Sequence, residues 1–229
     1  MPVFALSEDL LFPPPELAED DGLLAIGGDL SRERILKAYT MGIFPWYMEE
    51  HPILWWSPDP RLVLFPNEFT ISRSMRQTIN RNIFDITFDR GFVDVMENCA
   101  NAKRKDGYGT WINDDMLEAY TGLHEAGYAH SVESWSEGRL VGGLYGVALG
   151  GAFFGESMFA LRTNASKAAV AALVKRLIEW GFMFIDCQVV TQHLKSLGAR
   201  EISRRDFIIL LKSALKLPAH PGKWSYNTE

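Results

Sequence analysis

Asp186 and Gln188 lie two positions apart in the apolar segment FIDCQ (184–188), a pattern typical of a β-strand. Side chains two apart in a strand share a face, so the spacing predicts that these polar groups lie side by side, with Cys187 on the other face. A carboxylate that accepts from the Gln188 NH2 would leave the amide carbonyl directed at a substrate N–H. The alternative is a strand-end Asp that caps the following helix, and the spacing leaves both open.

Glu156 stands in a second apolar segment, GESMFA (155–160), where alternation predicts that Phe154 and Met158 share its face. A carboxylate is expensive to bury unless it is paired. Glu156 therefore lies either on an exposed edge or in a functional site, and the sequence leaves both readings open.

Cys187 has a histidine, His193, close to it in sequence, which raises the possibility of a thiol nucleophile. A free cysteine in an apolar strand is more often a core residue. No flanking motif of a cysteine enzyme is present, so the pattern favours the core.

Three tryptophans, Trp46, Trp55 and Trp56, fall within eleven residues of a proline-rich segment. Such clusters usually form core, but a loop-like segment is a poor place for one. Their faces could instead stack a nucleobase, which contributes roughly 1–3 kcal/mol per base.

Arg73, Arg76 and Arg81 lie within nine positions, in a stretch (69–84) that contains no acidic residue. Arg73 and Arg76 are three apart and share one face of a predicted helix. A second basic run, KRK, occupies 103–105. A solvated surface explains such clusters, and a patch that follows nucleic-acid phosphates is the alternative.

The elements that must hold these side chains mix strands and helices without regular alternation, which predicts an α+β fold. Strands are predicted at 61–65, 84–89, 130–135, 139–150, 151–160 and 182–188. Helices are predicted at 31–41, after Thr70, at 90–101, 114–126 and 165–180, and after Ser203. Ser31, Asn113 and Asn164 are the predicted N-caps of three of these helices.

The chain divides by composition near residue 60. Prolines punctuate the first sixty residues, which predicts a small, loop-rich, aromatic N-terminal domain at 1–60 and a larger domain at 61–229. The formal net charge of −6 argues by itself against a polyanionic partner. The distribution of charge does not argue against such a partner, because residues 1–60 carry a net charge of −8 and residues 61–229 a net charge of +2.

Compartment signals are few. The two cysteines form no CxxC or disulfide pattern, and the N-terminus has no basic region before its apolar residues. The longest uncharged run, 140–155, has sixteen residues of which six are glycine, shorter than the roughly 20 that span a membrane. We expect a soluble, cytoplasmic protein.

Ten motifs in order give these observations a common meaning. They are GLLAIGGDLS (22–31), GIFPWY (42–47), ILWWSPDPR (53–61), ISRSM (71–75), GTWI (109–112), VGGLYGV (141–147), GESMF (155–159), NASK (164–167), IDCQ (185–188) and SLGAREISRRDF (196–207). Together they resemble the leucyl/phenylalanyl-tRNA–protein transferases, from about residue 3 to about residue 215.

The resemblance implies an aminoacyltransferase that moves Leu or Phe, and less readily Met, from aminoacyl-tRNA to the N-terminal Arg or Lys of an acceptor protein. The product would be marked for degradation by the N-degron (N-end rule) pathway. The resemblance also implies an acyltransferase-like larger domain, related to the acetyl-CoA-dependent N-acetyltransferases (GNAT-like), and a small N-terminal domain that contributes to the aminoacyl-adenosine site. It calls for no cofactor and no metal, and we expect a monomer with no membrane partner.

By the same resemblance, Gln188 polarises the attacking amine and Asp186 orients Gln188, although the 2′-hydroxyl of the tRNA remains an alternative proton carrier. Glu156 would hold the amino group or the ribose of the donor. The resemblance also implies that the walls of the amino-acid pocket include Leu144, Phe153, Met158, Leu173 and Ile185. Contacts with the adenosine and the pocket mouth are implied for Tyr39, Trp46, Trp111 and Tyr120. Contacts with tRNA phosphates are implied for Arg73, Arg76 and Arg81.

Two other functions compete with this one. An acetyl-CoA-dependent N-acetyltransferase would need a glycine-rich turn before its long helix to bind pyrophosphate, and ALRTNASK (160–167) contains no glycine. A tRNA-binding module without catalysis would not require the Asp186 and Gln188 pair.

Overall fold

The structure, a computed structural model, describes residues 3–102 and 111–225. Its strands form a four-stranded sheet and a seven-stranded sheet. The smaller sheet has the order β1-β2-β4-β3 and pairs β1 with β2 in parallel and the other neighbours antiparallel. Its strands are β1 (Phe4–Leu6), β2 (Leu23–Gly27), β3 (Phe44–Pro45) and β4 (Leu54–Trp56).

Helix α1 (Arg32–Thr40) lies between β2 and β3 and confirms the helix predicted at 31–41. The Ser31 side chain accepts from the Arg34 N–H, which satisfies one of the free amides of the first turn. Gly42 follows with φ +76, and a Cβ at this position would lie 2.7 Å from the side chain of Ile208. The sequence therefore ends α1 where the chain must turn close to another helix.

The larger sheet has the order β11-β5-β10-β9-β8-β7-β6, in which only β9 and β10 pair in parallel. This mixture of elements confirms the α+β prediction. The strands are β5 (Arg61–Leu64), β6 (Asp85–Phe88), β7 (Ala129–Ser136), β8 (Arg139–Leu149), β9 (Ala152–Ala160), β10 (Phe184–Gln188) and β11 (Arg200–Ile202).

Helices cover both faces of this sheet. Apolar side chains alternate along the strands, so that Leu144 and Phe153 join one core while Tyr145 and Phe154 join the other. The helices are α2 (Arg73–Asn80), α3 (Phe92–Ala100), α4 (Asp114–Glu125), α5 (Ala165–Glu179), α6 (Gln192–Lys195) and α7 (Arg204–Ala214).

Helix α5 connects β9 to β10, and this crossover is what allows the two strands to run in parallel. Asn164 occupies the predicted N-cap position of α5, but its side chain does not cap the helix. Asn164 has φ +69, makes no capping hydrogen bond and donates instead to the Thr78 hydroxyl at 3.2 Å. Its left-handed backbone, which Asn tolerates better than most residues, turns its side chain away from the helix amides.

The C-terminal segment packs through Trp224, which is buried in the same apolar core as Leu144 and Phe153. Its backbone N–H donates to Asp89 at 2.7 Å and its ring stacks on His130 at 3.8 Å. The ring also lies 6.0 Å from that of Phe153. Phe153, which belongs to the same apolar core as Trp224, also lines the larger cavity described next.

Candidate active site

The site forms where β9 and β10 separate. Their parallel pairing ends at Asp186, which lies opposite Phe154. A crevice beyond the carboxyl ends of neighbouring parallel strands is a common binding position in sheets of this kind. Two cavities open there, and they share four of their lining residues, which are Glu156, Ser157, Gln188 and Val189.

The larger cavity has a volume of about 380 Å³ and is mainly apolar. All five side chains expected to form the amino-acid pocket line it. These are Leu144, Phe153, Met158, Leu173 and Ile185. Leu64, Val170 and Leu194 also line it, and sequence reasoning did not identify them.

The smaller cavity, of about 190 Å³, is an aromatic cleft whose lining includes Trp46 and Trp111. Tyr39 and Tyr120 do not line it. Both are fully buried next to Glu156, and the contact predicted for them with adenosine or the pocket mouth stays a prediction. Their hydroxyls face each other at 2.5 Å and donate to the Glu156 carboxylate, Tyr39 at 2.6 Å and Tyr120 at 3.3 Å.

Glu156 is positioned by a bulge in β9. Tyr145 pairs with Ser157 and Gly146 pairs with Gly155, so Glu156 is the extra residue. The bulge resets the alternation of side chains, and Phe154 therefore lies on the opposite face from Met158, contrary to the prediction from simple alternation. The carboxylate instead reaches the junction of the two cavities.

The pKa of Glu156 is raised to about 7. Burial is the main cause and the nearby charge of Asp186 adds to it, while hydrogen bonds from Tyr39, Tyr120 and Gln188 partly oppose the rise. Desolvation disfavours the charged form of a carboxyl group, and donated hydrogen bonds favour it. The carboxyl group consequently exchanges its proton near neutral pH.

Asp186 is fully buried and forms a bidentate ion pair with Arg61 of β5. Arg61 Nε donates to Oδ1 at 2.8 Å and Nη2 donates to Oδ2 at 2.7 Å. Arg61 Nη1 donates to the Gly42 carbonyl at 3.2 Å, and the guanidinium lies between the rings of Phe44 and Phe207 at 4.8 and 4.6 Å. This carboxylate is therefore neutralised and enclosed.

Sequence reasoning missed Arg61. The available signal was a charged residue at the start of the apolar strand RLVL, because a guanidinium can be buried there only with an anionic partner. That partner lies 125 residues away in sequence.

Gln188 does not make the side-chain contact predicted for it. A bulge at Cys187 separates the paired residues Asp186 and Gln188, and Gln188 adopts φ +60. Asp186 Oδ1 accepts from the Gln188 backbone N–H at 2.9 Å, while the Gln188 side-chain Nε2 donates to Glu156 Oε1 at 2.9 Å. Asp186 thus fixes the backbone of Gln188, and Glu156 fixes its amide.

Cys187 behaves as a core residue. Burial is the main cause that raises the pKa of its thiol well above the ordinary value, which opposes formation of the nucleophilic thiolate. Its Sγ contacts the Ile185 carbonyl at 3.9 Å. His193 lines the same cavity with a largely exposed side chain, and partial desolvation together with the nearby charge of Lys167 lowers its pKa. The nucleophile reading gains no support from this geometry.

The basic residues expected to meet phosphates lie on and beside α2. Arg73 and Arg76 are exposed and line one open groove together with Gln77 and Asn80. Arg81, at the C-terminal end of the helix, is exposed outside that groove. The second basic run, at 103–105, and the start of the GTWI motif lie outside the described residues.

No group of three His, Cys, Asp or Glu side chains within 3–102 and 111–225 is arranged to hold a metal ion. None of the helices described in these two segments has the length and apolar character needed to cross a membrane.

Comparison with known families shows which family the chain belongs to. The model of the family described as "Leucyl/phenylalanyl-tRNA protein transferase" matches residues 63–212, and that of its N-terminal domain matches residues 28–59. The chain belongs to the leucyl/phenylalanyl-tRNA–protein transferase family. This confirms the resemblance, and with it the assignment of the chain as an aminoacyltransferase.

Curated leucyl/phenylalanyl-tRNA–protein transferases match over nearly their full length. The protein of Syntrophobacter fumaroxidans is 60% identical over 98% of this chain and 96% of its own. That of Desulfatibacillum aliphaticivorans is 56% identical over 100% and 98%, and that of Myxococcus xanthus 53% identical over 98% and 97%. Among solved structures, L-PGS from Bacillus licheniformis aligns with a TM-score of 0.38 and 15% identity over 74% of this chain and 54% of that one. That likeness is too distant to argue from.

Proposed function

We propose that this enzyme transfers leucine or phenylalanine, and less readily methionine, from aminoacyl-tRNA to the α-amino group of an N-terminal Arg or Lys of an acceptor protein. The observation that carries the proposal is the apolar cavity of about 380 Å³ that meets an aromatic cleft at Glu156 and Gln188. An apolar side chain and a nucleoside joined through one ester carbonyl require two such adjoining spaces.

The amino-acid side chain would occupy the larger cavity. One methylene changes binding in an apolar pocket by only about 1–3 kcal/mol, so a single pocket is expected to accept Leu, Phe and Met with graded efficiency. The terminal adenosine would lie in the aromatic cleft, where Trp46, with 39% of its surface exposed, offers a stacking face beside Trp111.

Arg73, Arg76 and Arg81 would contact tRNA phosphates. Contacts of this kind position the nucleic acid and are largely independent of its sequence. The exposure of all three side chains on one short segment supports the assignment.

The chemistry is aminolysis of an ester, which is downhill and needs no ATP. The acceptor α-amine has a reference pKa of about 7.7–8.0, so part of it is neutral at pH 7. Gln188 would orient this amine through its side-chain carbonyl, because its NH2 group already donates to Glu156. Asp186 would act indirectly, because it fixes the backbone of Gln188 and binds the guanidinium of Arg61.

The acceptor protein would approach across the acidic N-terminal surface. Glu49 lines a cleft of about 240 Å³ together with Asp114 and Asp115, and Glu50 is its exposed neighbour. A basic N-terminal residue is attracted to such a surface.

The remaining proposals are coarser. The division into domains at 1–60 and 61–229 is supported by the two separate sheets, with the larger unit acyltransferase-like and GNAT-related. We propose a cytoplasmic monomer whose products enter the N-degron pathway.

The decisive experiment mixes the enzyme with labelled leucyl-tRNA and a protein that begins with Arg. We expect the acceptor to gain the mass of one leucine, and an otherwise identical protein beginning with Ser to gain none. Acetyl transfer from acetyl-CoA without leucine transfer would instead identify an N-acetyltransferase. Binding of tRNA with neither transfer would identify a binding module.

A further inference from the structure

The Glu156 carboxylate is the anionic group that stands at the junction of both cavities. Its Oε1 accepts from Tyr39 and from the Gln188 amide, and its Oε2 accepts only a long hydrogen bond, of 3.3 Å, from Tyr120. An oxygen that accepts one long bond retains capacity to accept a proton.

We propose that Glu156 is the proton acceptor of the transfer reaction and returns the proton to the leaving ribose oxygen. The inference rests on the proposed function and deepens it, since it assigns the proton route that the sequence left open. It also replaces the expectation that Glu156 merely holds the amino group or ribose of the donor.

Asp186 cannot perform this step. Both of its oxygens are bound by the Arg61 guanidinium, and Oδ1 also accepts the Gln188 backbone N–H. Protonating it would break a fully buried ion pair and leave the guanidinium without its counter-ion, which is costly. The ion pair makes Asp186 a positioning residue, whereas Glu156 has no cationic partner among the hydrogen bonds described for it and can take up a proton.

The surroundings of Glu156 suit a general base. The titratable groups that face it are Tyr39 from α1, Tyr120 from α4 and Asp186 from β10. Burial raises the pKa values of both tyrosines, so they remain neutral donors that hold the carboxylate in place. With its own pKa at about 7, Glu156 is matched to proton transfer at neutral pH.

The reaction balances with this one group. The neutral acceptor amine attacks the ester carbonyl, the new C–N bond forms, and the nitrogen gives one proton to Glu156. The C–O bond to the ribose then breaks, and the protonated Glu156 returns that proton to the departing oxygen. The products are an amide and a free ribose hydroxyl, and the enzyme ends in its starting state.

The test compares single-turnover transfer by the wild-type enzyme and by Glu156→Gln between pH 5.5 and 8.5. Because ionisation of the acceptor amine affects both enzymes equally, it cancels in the ratio of their rates. We expect the ratio to rise with pH through about 7 and to reach about 10²–10⁴, the usual contribution of general base catalysis. A ratio that stays near one, or does not change with pH, overturns the proposal.

Two controls separate this role from others. Glu118→Gln makes the same change at an exposed position of α4 and is expected to leave the rate unchanged. Glu156→Asp keeps a carboxylate, so the ratio of its transfer rate to that of Glu156→Gln is expected to rise with pH. Its rate is expected to stay below that of the wild type. If Glu156→Gln fails to fold, the transfer rate of Glu156→Asp is compared with that of the wild type across the same pH range. A Glu156→Asp rate that does not rise with pH overturns the proposal.

A donor whose α-amino group is replaced by a hydroxyl group distinguishes proton acceptance by Glu156 from binding of the donor ammonium by Glu156. If Glu156 takes the proton, the ratio between wild type and Glu156→Gln persists with this donor. If Glu156 only holds the donor ammonium, the ratio falls to near one and the proposal is wrong. Absence of transfer by the wild-type enzyme with ordinary leucyl-tRNA would instead reject the proposed function itself.

Discussion

The buried Arg61–Asp186 ion pair allows a quantitative test of how the site is held together. We predict that Arg61→Met destabilises the protein by about 3–5 kcal/mol, the usual cost when one partner of a buried pair is removed. The pair belongs to this class because both side chains are at most 1% exposed and both hydrogen bonds are shorter than 2.9 Å. The loss is large compared with a total stability of about 5–15 kcal/mol.

A series of variants distinguishes the ion pair from simple packing. Arg61→Lys keeps the charge but not the bidentate geometry, and is expected to cost less than Arg61→Met. Combining Arg61→Met with Asp186→Leu removes both charges and is expected to restore most of the lost stability. Arg32→Met breaks an ion pair with Glu33 that is more than half exposed, and it is expected to destabilise the protein far less than Arg61→Met because solvent screens the exposed pair.

The assay is urea unfolding at neutral pH, followed by the fluorescence of the seven tryptophans. The double-mutant cycle then yields the coupling energy directly. If Arg61→Met lies within 1 kcal/mol of wild type, or if the two substitutions are additive, the pair does not hold the site and the reasoning about Asp186 fails.

Three further predictions address the carboxylate, the pocket and the basic surface. Ionisation of Glu156 is less favourable in the folded protein than in the unfolded chain, so the free energy of unfolding of the wild type falls as pH rises from 4.5 towards 7. Between pH 5 and pH 8, the free energy of unfolding of Glu156→Gln is therefore expected to gain about 2 kcal/mol relative to that of the wild type, measured by urea unfolding. The same pH dependence in both proteins would contradict the raised pKa. Leu144→Phe narrows the larger cavity and is expected to shift competition between leucyl- and phenylalanyl-tRNA towards leucine by about tenfold. Arg73→Ala with Arg76→Ala is expected to weaken tRNA binding and to lower the salt slope by about 1–2, and an unchanged slope would exclude this patch.

Much of the fold was predictable because it depends on local pattern. The antiparallel strands on either side of the turn at 136–138, and the helices capped by Ser31 and Asn113, follow from alternation and capping within a few residues. The five side chains that the resemblance predicts for the amino-acid pocket all line one cavity, and their role there stays a prediction.

The geometry of the polar side chains at the candidate site was not predictable in this way. Two bulges, at Glu156 in β9 and at Cys187 in β10, break the period-two alternation on which the sequence argument relied. A bulge depends on the register between strands, and neither segment shows that register by itself.

The hydrogen bonds of Tyr39 and Tyr120 to Glu156 were not predictable for a related reason. Aromatic residue type indicates a large ring, but it does not distinguish an exposed stacking face from a buried hydroxyl that donates to a carboxylate. Tyr39, Tyr120 and Glu156 come from three distant elements, α1, α4 and β9, and only the packing of those elements brings their oxygen atoms together.

The central claim is that the ester carbonyl of the donor lies where the two cavities meet, and a crystal structure with a non-hydrolysable amide analogue of leucyl-adenosine tests it directly. The account predicts the leucine side chain among Leu144, Phe153 and Met158, the adenine against Trp46 and Trp111, and the carbonyl beside Glu156 and Gln188. An analogue bound with its side chain outside this cavity, or with its carbonyl away from Glu156, would contradict the account.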